Sequence, residues 1–480
     1  MKASDPTLFR RAWFIGFAGH RQVDDAATLK AVIRKELDDF SASLNGDVVG
    51  LASAAAGADL LFLEACEEAG LRTVVILPFA EERFSADFDD PSEWRKAQAR
   101  MAAATWCEVA PGNEDAPEAY HVVAREVLEV ADRMLFAWNG LPARGRGGTA
   151  ETVAEAEKWG VPSRIINTAT LEVRWQAGSA PEAVEDVHFH DLPAGRTVAE
   201  VFEKLDHRAV SRAPRSRWFA AGSMSVNHLA TFLQAVLVVF FLSAGKDIGA
   251  AVKFLMAMVA AALPWVGTRL RIQEGWVEDR VRAELLRSLM ASHEPGSPLR
   301  PPGLELFEKD APFIRSAALR LVSERKGWQA ARDAYLKERI DDQIGFFKSK
   351  GGQASRKMRV FGKVFWFASW GAVVFTGATV LTNLMVLGKM WKVPPQWDTW
   401  GMEFIPSVLP GIAAWSMAII SIFEFKRRAG LYRQLVGTLQ QIRPKLAEAR
   451  CASAVQVIIR QCERLLLNEL WEWQGQRRKK

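Results

Sequence analysis

Short apolar runs alternate with amphipathic stretches along residues 12–168. The runs AWFIGFAG (12–19) and RTVVILPF (72–79) are almost uninterrupted, as in strands buried on both faces, whereas residues 25–44 have apolar positions at helical spacing. Buried strands that alternate with helices are typical of a parallel sheet covered by helices. We therefore predict an α/β fold, with a Rossmann-like parallel sheet domain over residues 1–170.

The second half of the chain has long apolar blocks in place of this alternation. They cover residues 227–245, 248–268, 363–388 and 403–423. Each is close to or above the ~20 residues that a helix needs to cross a bilayer. We predict an all-α membrane domain with four transmembrane helices in two hairpins, at 218–270 and 361–428, after a linker at 171–217. The alternative is that the blocks are core helices of a soluble protein.

Basic residues flank the outer ends of the two predicted hairpins. They are Arg212, Arg215, Arg217, Arg269, Arg271, Lys357, Arg359, Lys363, Lys426, Arg427 and Arg428. Because cytoplasmic flanks are enriched in Lys and Arg, we predict that both termini are cytoplasmic. The helical segment at 271–360 and the C-terminal helices at 429–480 are predicted to lie on the same side. Their amphipathic stripes favour packing within the bundle or between subunits, so we expect a homo-oligomer.

The overall composition hides the difference between the two halves. The net charge is +6 and the mean hydropathy is −0.03, values that alone indicate an ordinary soluble protein. The four cysteines are scattered without a CxxC pair, so they predict neither a metal site nor a disulfide framework, and they fit a reducing compartment. The N-terminus has only a short apolar stretch that runs into GHR, so we expect the first domain to be cytoplasmic.

Two loops after predicted strands have small residues next to polar ones. In GFAGHR, Gly19 permits close approach of a ligand, Arg21 is suited to a phosphate or carboxylate, and His20 is placed either to contact a ribose or base or to cap the turn. In AAAGAD, Ala56 and Gly57 leave the backbone accessible at a helix start, which attracts anions. Asp59 in the same loop is predicted to cap the helix, with ligand contact as the second role.

A third loop, FAWNGLPARGRGGTAE, contains more glycine than a tight turn requires. The candidate ligand-binding residues here are Trp138, Asn139, Gly140, Arg144, Arg146, Gly147, Gly148, Thr149 and Glu151. Successive backbone N–H groups of such a turn form an anion-binding concavity. Glu151 is placed to start the helix favourably or to reach a ribose hydroxyl. A solvated loop is the alternative for the two arginines.

These loops together resemble the SLOG superfamily of Lonely Guy phosphoribohydrolases, Smf/DprA proteins and nucleotide-sensing domains. The resemblance rests on GFAGHR, SAAAGAD, ILPF with ERFSADF, the helix of Tyr120, and ADRMLFAWNG with ARGRGGTAETVAEAEKWGVP. It implies a Rossmann-like fold and a nucleotide-related ligand. In the Lonely Guy pattern PGGxGTxxE, however, the catalytic Glu position is Thr152, and Glu151 comes one residue early. We therefore expect binding rather than catalysis, with no metal and no cofactor beyond the nucleotide-derived ligand.

The second half resembles the SLATT membrane modules that accompany nucleotide-sensing domains in bacterial conflict systems. DRVRAELLRSL, YLKERIDDQIGFF and LLLNELWEW flank the paired apolar blocks in the same way. The resemblance implies an anti-phage effector of the bacterial inner membrane, which forms a pore or disrupts the bilayer when a partner enzyme supplies a nucleotide signal. No nucleic acid partner is expected. The alternative is a membrane-anchored hydrolase of a nucleotide or NAD derivative.

A transport function is disfavoured by the composition of the apolar blocks. They contain almost no ionisable residues to line a polar path, since Lys253 lies near the start of its block and Asn383 is uncharged. The same scarcity limits a pore to one with a hydrophobic gate.

Overall fold

The computed structural model describes residues 9–110, 115–142, 146–176, 196–240, 242–269, 272–294, 296–322, 327–388, 390 and 392–478. The chain divides into two compact units. The first, here the sheet unit, comprises residues 1–201 and 285–327. The second, the helical unit, comprises residues 202–284 and 328–480.

The sheet unit has seven strands in the order β4-β3-β2-β1-β5-β6-β7. The strands are β1 (Ala12–Gly19), β2 (Asp47–Ala52), β3 (Arg72–Leu77), β4 (Trp106–Val109), β5 (Arg133–Ala137), β6 (Ser163–Ile166) and β7 (Val173–Trp175). All pairings are parallel except that of β6 with β7. The predicted Rossmann-like sheet is thus confirmed, with an antiparallel edge strand added.

Helices cover both faces of this sheet. They are α1 (Ala26–Ser43), α2 (Ala58–Glu68), α3 (Glu81–Phe84), α4 (Pro91–Ala103), α5 (Ala116–Val130) and α6 (Thr149–Trp159). Alternate residues of β1 enter different clusters: Ile15 and Phe17 pack with α1 and α2, whereas Phe14 packs with α5 and α6. This alternation explains the uninterrupted apolar run, because both faces of the strand are buried.

The strand order reverses direction between β1 and β5. From β1 the chain winds outward through β2, β3 and β4, and it then returns to pair β5 with the other side of β1. Gly19 pairs with Ala137 where these two strands end. In open parallel sheets such a switch point leaves a crevice at the carboxyl ends of the strands, which is where ligands bind.

Part of the predicted cytoplasmic segment 271–360 belongs to the sheet unit. Helix α10 (Ala311–Leu321) lies at the amino edge of the sheet, where the backbone N–H of Ala12 donates to Ser316 Oγ at 2.9 Å. Leu299 and Leu319 are buried in the same cluster as Phe14. The segment is therefore divided between two units, because its apolar positions complete the core of the sheet.

The remaining long helices belong mainly to the second unit. They are α7 (Val198–Phe240), α8 (Leu242–Arg269), α9 (Ile272–Ser292), α11 (Trp328–Ala334), α12 (Asp342–Leu387), α13 (Ile405–Ile422), α14 (Phe425–Ala447) and α15 (Ala452–Arg478), with π-helical turns at Tyr335–Asp341 and Trp397–Phe404. Two helical stretches are long and apolar enough to cross a membrane, Trp328–Leu387 and Trp397–Ala447. A shorter apolar stretch lies at Ala251–Leu263.

Helix α7 contacts other helices of the helical unit at several points. Ser223 Oγ of α7 donates to the carbonyl of Ala260 in α8 at 2.6 Å. Trp415 Nε1 of α13 donates to Ser225 Oγ of α7 at 3.1 Å. The aromatic rings of Phe232 and Phe404 lie 6.1 Å apart. These contacts connect α7 to α8, to α13 and to the π-helical turn at Trp397–Phe404.

Two expectations about connections differ from the structure. The predicted linker 171–217 includes strand β7 and the first turns of α7, because Val173–Trp175 pairs with β6 and residues 198–217 continue a long helix. The turn expected at residues 246–247 is helical and lies within α8.

Candidate functional site

The carboxyl ends of β1 and β5 are joined by a side chain of the first loop. The backbone N–H of Asn139 donates to His20 Nε2 at 3.2 Å, and the backbone N–H of His20 donates to the carbonyl of Ala137 at 3.2 Å. His20 is therefore committed to holding the two loops together across the switch point. This arrangement corresponds to the turn-capping role predicted for His20, rather than to a free ligand-binding imidazole.

Arg21 lies over an aromatic ring at the same edge. Its guanidinium carbon is 4.9 Å from the centroid of the Tyr120 ring, and Nη2 lies 4.0 Å from a carboxylate oxygen of Asp87. The Tyr120 hydroxyl donates to the same carboxylate. The Arg21 side chain is 48% exposed, so its guanidinium is positioned by the ring and carboxylate yet accessible to a ligand. Arginine with free N–H donors is suited to phosphate or carboxylate.

The second loop contacts the first through Gly57. Its φ is +85°, and a Cβ at this position would lie 2.1 Å from the carbonyl oxygen of Arg21. Only glycine fits here, because any side chain meets both a strained backbone and a steric overlap. Gly57 is also the N-cap residue of α2, so it offers no side chain to the first-turn N–H groups of that helix. The first N–H of this helix, that of Ala58, donates to the carbonyl of His20 at 3.0 Å, and Ala58 is buried.

Asp59 is buried behind this loop and bonds across to β1. The backbone N–H of Gly19 donates to Asp59 Oδ1 at 3.3 Å. Burial raises the pKa of the Asp59 carboxyl to about 8, against the opposing effects of the Gly19 hydrogen bond and the Arg21 charge. The observed partner is thus the end of β1, and not the N-terminal N–H groups of α2 that the sequence predicted.

The third loop folds back on itself at the start of α6. Gly147 has a φ of +76°, and its backbone N–H donates to Glu151 Oε2 at 2.6 Å. Glu151 also lies near the buried His121, with 3.7 Å between Oε2 and Nδ1. Gly148 is the N-cap of α6 and leaves the N–H groups of Thr149 and its neighbours without a side-chain cap of their own. Glu151 therefore stabilises the conformation of this loop by accepting a hydrogen bond from the Gly147 N–H.

Thr152, the residue after Glu151 on α6, faces the interior. Its side chain is buried, and Oγ1 donates to the carbonyl of Gly148 at 3.2 Å. A residue at this position on α6 is held against the domain core and is not presented to the crevice.

Other residues predicted to bind the ligand form hydrogen bonds or ion pairs within the protein. Trp138 Nε1 donates to the carbonyl of Leu141 at 2.9 Å, and the Leu141 N–H donates to Asn139 Oδ1 at 3.1 Å. Arg146 is exposed and pairs with Glu118 of α5. Gly140 has a φ of +82° and is exposed, and Ala56 is half-buried beside Gly57. Arg144 lies outside the described residues.

Sequence reasoning did not list three residues that the structure places in the site. Asp87 and Tyr120 flank Arg21, and His121 lies against the glycine loop. A Cβ on Gly147 would come within 2.8 Å of the His121 backbone nitrogen, so the loop rests directly on α5. Asp87 lies in the stretch ERFSADF, and the helix of Tyr120 was also noted in the sequence, but neither residue was named there as a ligand-binding candidate.

Charged groups of both signs meet at this edge. The accessible Arg21 guanidinium and the glycine-capped start of α6 lie there, together with the carboxylates of Asp87 and Glu151. Within the described ranges, no group of three His, Cys, Asp or Glu side chains is placed to hold a metal ion. No family model matches the chain, and no curated protein matches it.

Proposed function

We propose that this chain is a membrane effector that senses a nucleotide-derived anion. The sheet unit binds the anion at the carboxyl ends of β1 and β5, and the helical unit then permeabilises the membrane. The observation that carries the proposal is the convergence of three loops, at Arg21, Gly57 and Gly147, on the switch point of the sheet.

The chemistry of the edge favours a nucleotide over a simple anion. Phosphate oxygens match the N-terminal N–H groups of α6 and the Arg21 guanidinium. The Asp87 carboxylate and the Tyr120 hydroxyl add hydrogen-bonding groups for ribose hydroxyls or a base amine. A ligand that carries both phosphate and sugar uses all of these groups at once.

Helix α5 is the element that we propose transmits binding. Its first half carries Glu118, Tyr120 and His121, which contact the loops of the site. Its last carbonyls accept hydrogen bonds from Arg315 of α10, in the part of the chain between the two predicted hairpins. A ligand that shifts α5 therefore shifts the segment that connects the hairpins. Such a response requires different ligand affinity in the two arrangements.

The membrane part of the proposal is supported by the helical unit. Helix α12 exposes Trp366, Phe367 and Trp370, each more than half accessible, on one of the two stretches that are long enough to cross a bilayer. We propose that α7 and α8 form a further hairpin, which gives four spans with both termini in the cytoplasm. The few ionisable residues of these spans favour a hydrophobic gate, formed by a homo-oligomer.

The resemblance to SLOG and SLATT modules leads us to propose a setting for this activity. The setting is the inner membrane of a bacterium, in a defence system against phage, where a partner enzyme produces the nucleotide signal. Detection of the signal would then end growth of the infected cell through loss of its membrane barrier.

Mass spectrometry of nucleotides that co-purify with the full-length protein tests the binding step. We expect a nucleotide with wild type and its loss with Arg21→Ala, because the guanidinium supplies the accessible charge. Arg34→Ala is the matched control, since Arg34 forms an exposed pair with Asp38 on α1 and does not belong to the candidate site. Equal nucleotide content in wild type and Arg21→Ala would contradict the proposed site.

A second candidate function, nucleotide hydrolysis, is favoured by the position of Asp59, whose carboxyl accepts from the Gly19 N–H at the carboxyl end of β1 and lies within the electrostatic influence of Arg21. With a pKa of about 8 this carboxyl is largely protonated at neutral pH, as a general acid must be. Incubation of the full-length protein with AMP, NAD and ADP-ribose would release a free base or ribose phosphate, and Asp59→Asn would abolish the release. Unchanged substrates would exclude this second function for those three compounds.

A further inference from the structure

A groove with one charged residue opens between α12 and α13. Val364 and Phe367 of α12 line it together with Leu409 and Ile412 of α13, and Lys363 is the charged residue among the lining side chains. Its volume is about 460 Å³. A volume of this order holds a small molecule or one acyl chain.

The groove is formed where the two helices pack closely on one side. A Cβ on Gly371 would lie 3.0 Å from Leu409 Cδ1, so Leu409 fits tightly against α12 at this glycine. Nearer the start of α12, Lys363 and Val364 line the groove and not the tight contact. The Leu409 side chain thus connects the tight contact to the groove.

We propose that the groove binds one acyl chain of an anionic phospholipid and that Lys363 pairs with the headgroup phosphate. The proposal rests on the membrane insertion proposed above. A phospholipid fits this groove because the lining is apolar on both helices and has a cation at one end. The apolar lining matches the acyl chain, and the cation matches the headgroup phosphate.

The position of Lys363 supports this assignment. It lies about one turn before Trp366, which is 55% exposed, as is Trp370 one turn further on. Exposed tryptophans of membrane helices lie at the headgroup level, which places the Lys363 ammonium at the depth of lipid phosphate. Among the residues that the structure describes, no carboxylate forms an ion pair with Lys363. The charge is therefore available to a ligand.

The test uses full-length protein reconstituted into vesicles of phosphatidylcholine and phosphatidylglycerol in equal parts. Native mass spectrometry after detergent extraction counts the phosphatidylglycerol that each protein retains. We expect Lys363→Gln to lower retention about fivefold, and Ile412→Trp, which fills the groove and leaves the charge, to lower it to the same extent. Lys357→Gln makes the same charge change on α12 outside the groove and is expected to retain lipid as wild type does.

Two results would overturn the inference. One is equal retention of phosphatidylglycerol by wild type and Lys363→Gln, and the other is equal retention of phosphatidylcholine and phosphatidylglycerol by wild type. Flotation of the same vesicles separates this failure from failure of the proposed function. A protein that floats with the vesicles but shows no lysine dependence lacks only the lipid site, whereas a protein that does not float lacks the membrane insertion on which both proposals rest.

Discussion

Arg315 Nη1 donates to the backbone carbonyl of Glu129 at 3.2 Å, across 186 residues of sequence. The same guanidinium reaches the carbonyls of Val130 and Leu299. The last carbonyls of a helix have no intrahelical partner, and a cation there is favourable to the helix dipole. Arg315 thus caps the C-terminus of α5 and connects this helix to α10, which belongs to the segment between the predicted hairpins.

Replacing Arg315 with Ala is expected to free α10 from α5. The carbonyls of Glu129 and Val130, of which Val130 is buried, lose a charged donor, at a cost of about 3 kcal/mol. Hydrogen exchange of the full-length protein is the measurement, with faster exchange expected in peptides of α10 and β1. Arg34→Ala, which breaks an exposed pair, is the control and should cost under ~0.5 kcal/mol. Equal exchange in both variants would argue against the role of Arg315.

Alanine substitutions at Gly57 and Gly70 distinguish the cost of backbone strain alone from the cost of strain combined with a steric overlap. Both have positive φ, but a Cβ on Gly70 meets nothing within 4 Å, whereas one on Gly57 meets the Arg21 carbonyl at 2.1 Å. Gly70→Ala is expected to lower the free energy of unfolding of the sheet unit by about 1 kcal/mol. Gly57→Ala is expected to lower it by about 3 kcal/mol or more, as measured by exchange of α2 amides. Similar losses in the two variants would show that the Gly57 contact with Arg21 is loose.

Asp59 gives the sheet unit a definite pH dependence. Its folded pKa is about 8 against a usual value of 3.8, so between these values the folded state holds a proton that the unfolded state has released. The contribution of Asp59 to stability therefore falls as pH rises from about 4 to about 8, by up to about 1.4 kcal/mol per pH unit.

Asp59→Asn removes this titration and keeps an acceptor for the Gly19 N–H. The difference in unfolding free energy between the variant and wild type should therefore increase in favour of the variant from pH 5 to pH 8. Thermal unfolding followed by tryptophan fluorescence at both pH values measures this difference. A difference that is constant with pH would show that the folded Asp59 is ionised throughout.

Two carboxylates test the difference between buried and exposed ion pairs in the helical unit. Glu463 accepts from Arg339 Nε and Nη2 at 2.9 Å each and from the Tyr335 hydroxyl at 2.6 Å, and it is completely buried. Asp341, on the same π-helical turn, forms an exposed pair with Arg443. Glu463→Gln leaves the Arg339 charge without its carboxylate and should cost about 3–5 kcal/mol, whereas Asp341→Asn should cost under ~1 kcal/mol.

Exchange of the α15 amides measures both effects, because Glu463 attaches this helix to the π-helical turn of Tyr335 and Arg339. Rapid exchange in Glu463→Gln alone is expected. Equal protection in both variants would mean that α15 is held by apolar packing without help from the buried pair.

The strands of the sheet were predictable because burial on both faces leaves continuous apolar runs. The residues of β1 were predicted without error, and the run at 72–79 extends two residues beyond β3. Strand β7 has only three residues, exposed in part, and thus no such pattern. The apolar face of α10 was visible, but periodicity does not identify the partner of a face, so its place in the sheet unit was not predicted.

The candidate site was predictable as a set of loops, and less so as a set of contacts. Parallel strands bring their carboxyl ends to one edge, which follows from the alternation of elements. The roles of single side chains depend on contacts that no spacing determines. Thus Asp59 bonds to Gly19, Glu151 turns back to Gly147, and Tyr120 of a distant helix positions Arg21.

Dye release from vesicles that contain the full-length protein tests the central claim most directly. Nucleotides identified by co-purification, with ATP, AMP, NAD and ADP-ribose as a fixed panel, are added from the side of the sheet unit. The account predicts release by at least one nucleotide with wild type, no release with Arg21→Ala, and nucleotide binding without release with Arg315→Ala. Two results would contradict the claim. One is that the vesicles retain their dye although the wild-type protein has bound its nucleotide, and the other is that wild type, Arg21→Ala and Arg315→Ala release equal amounts of dye.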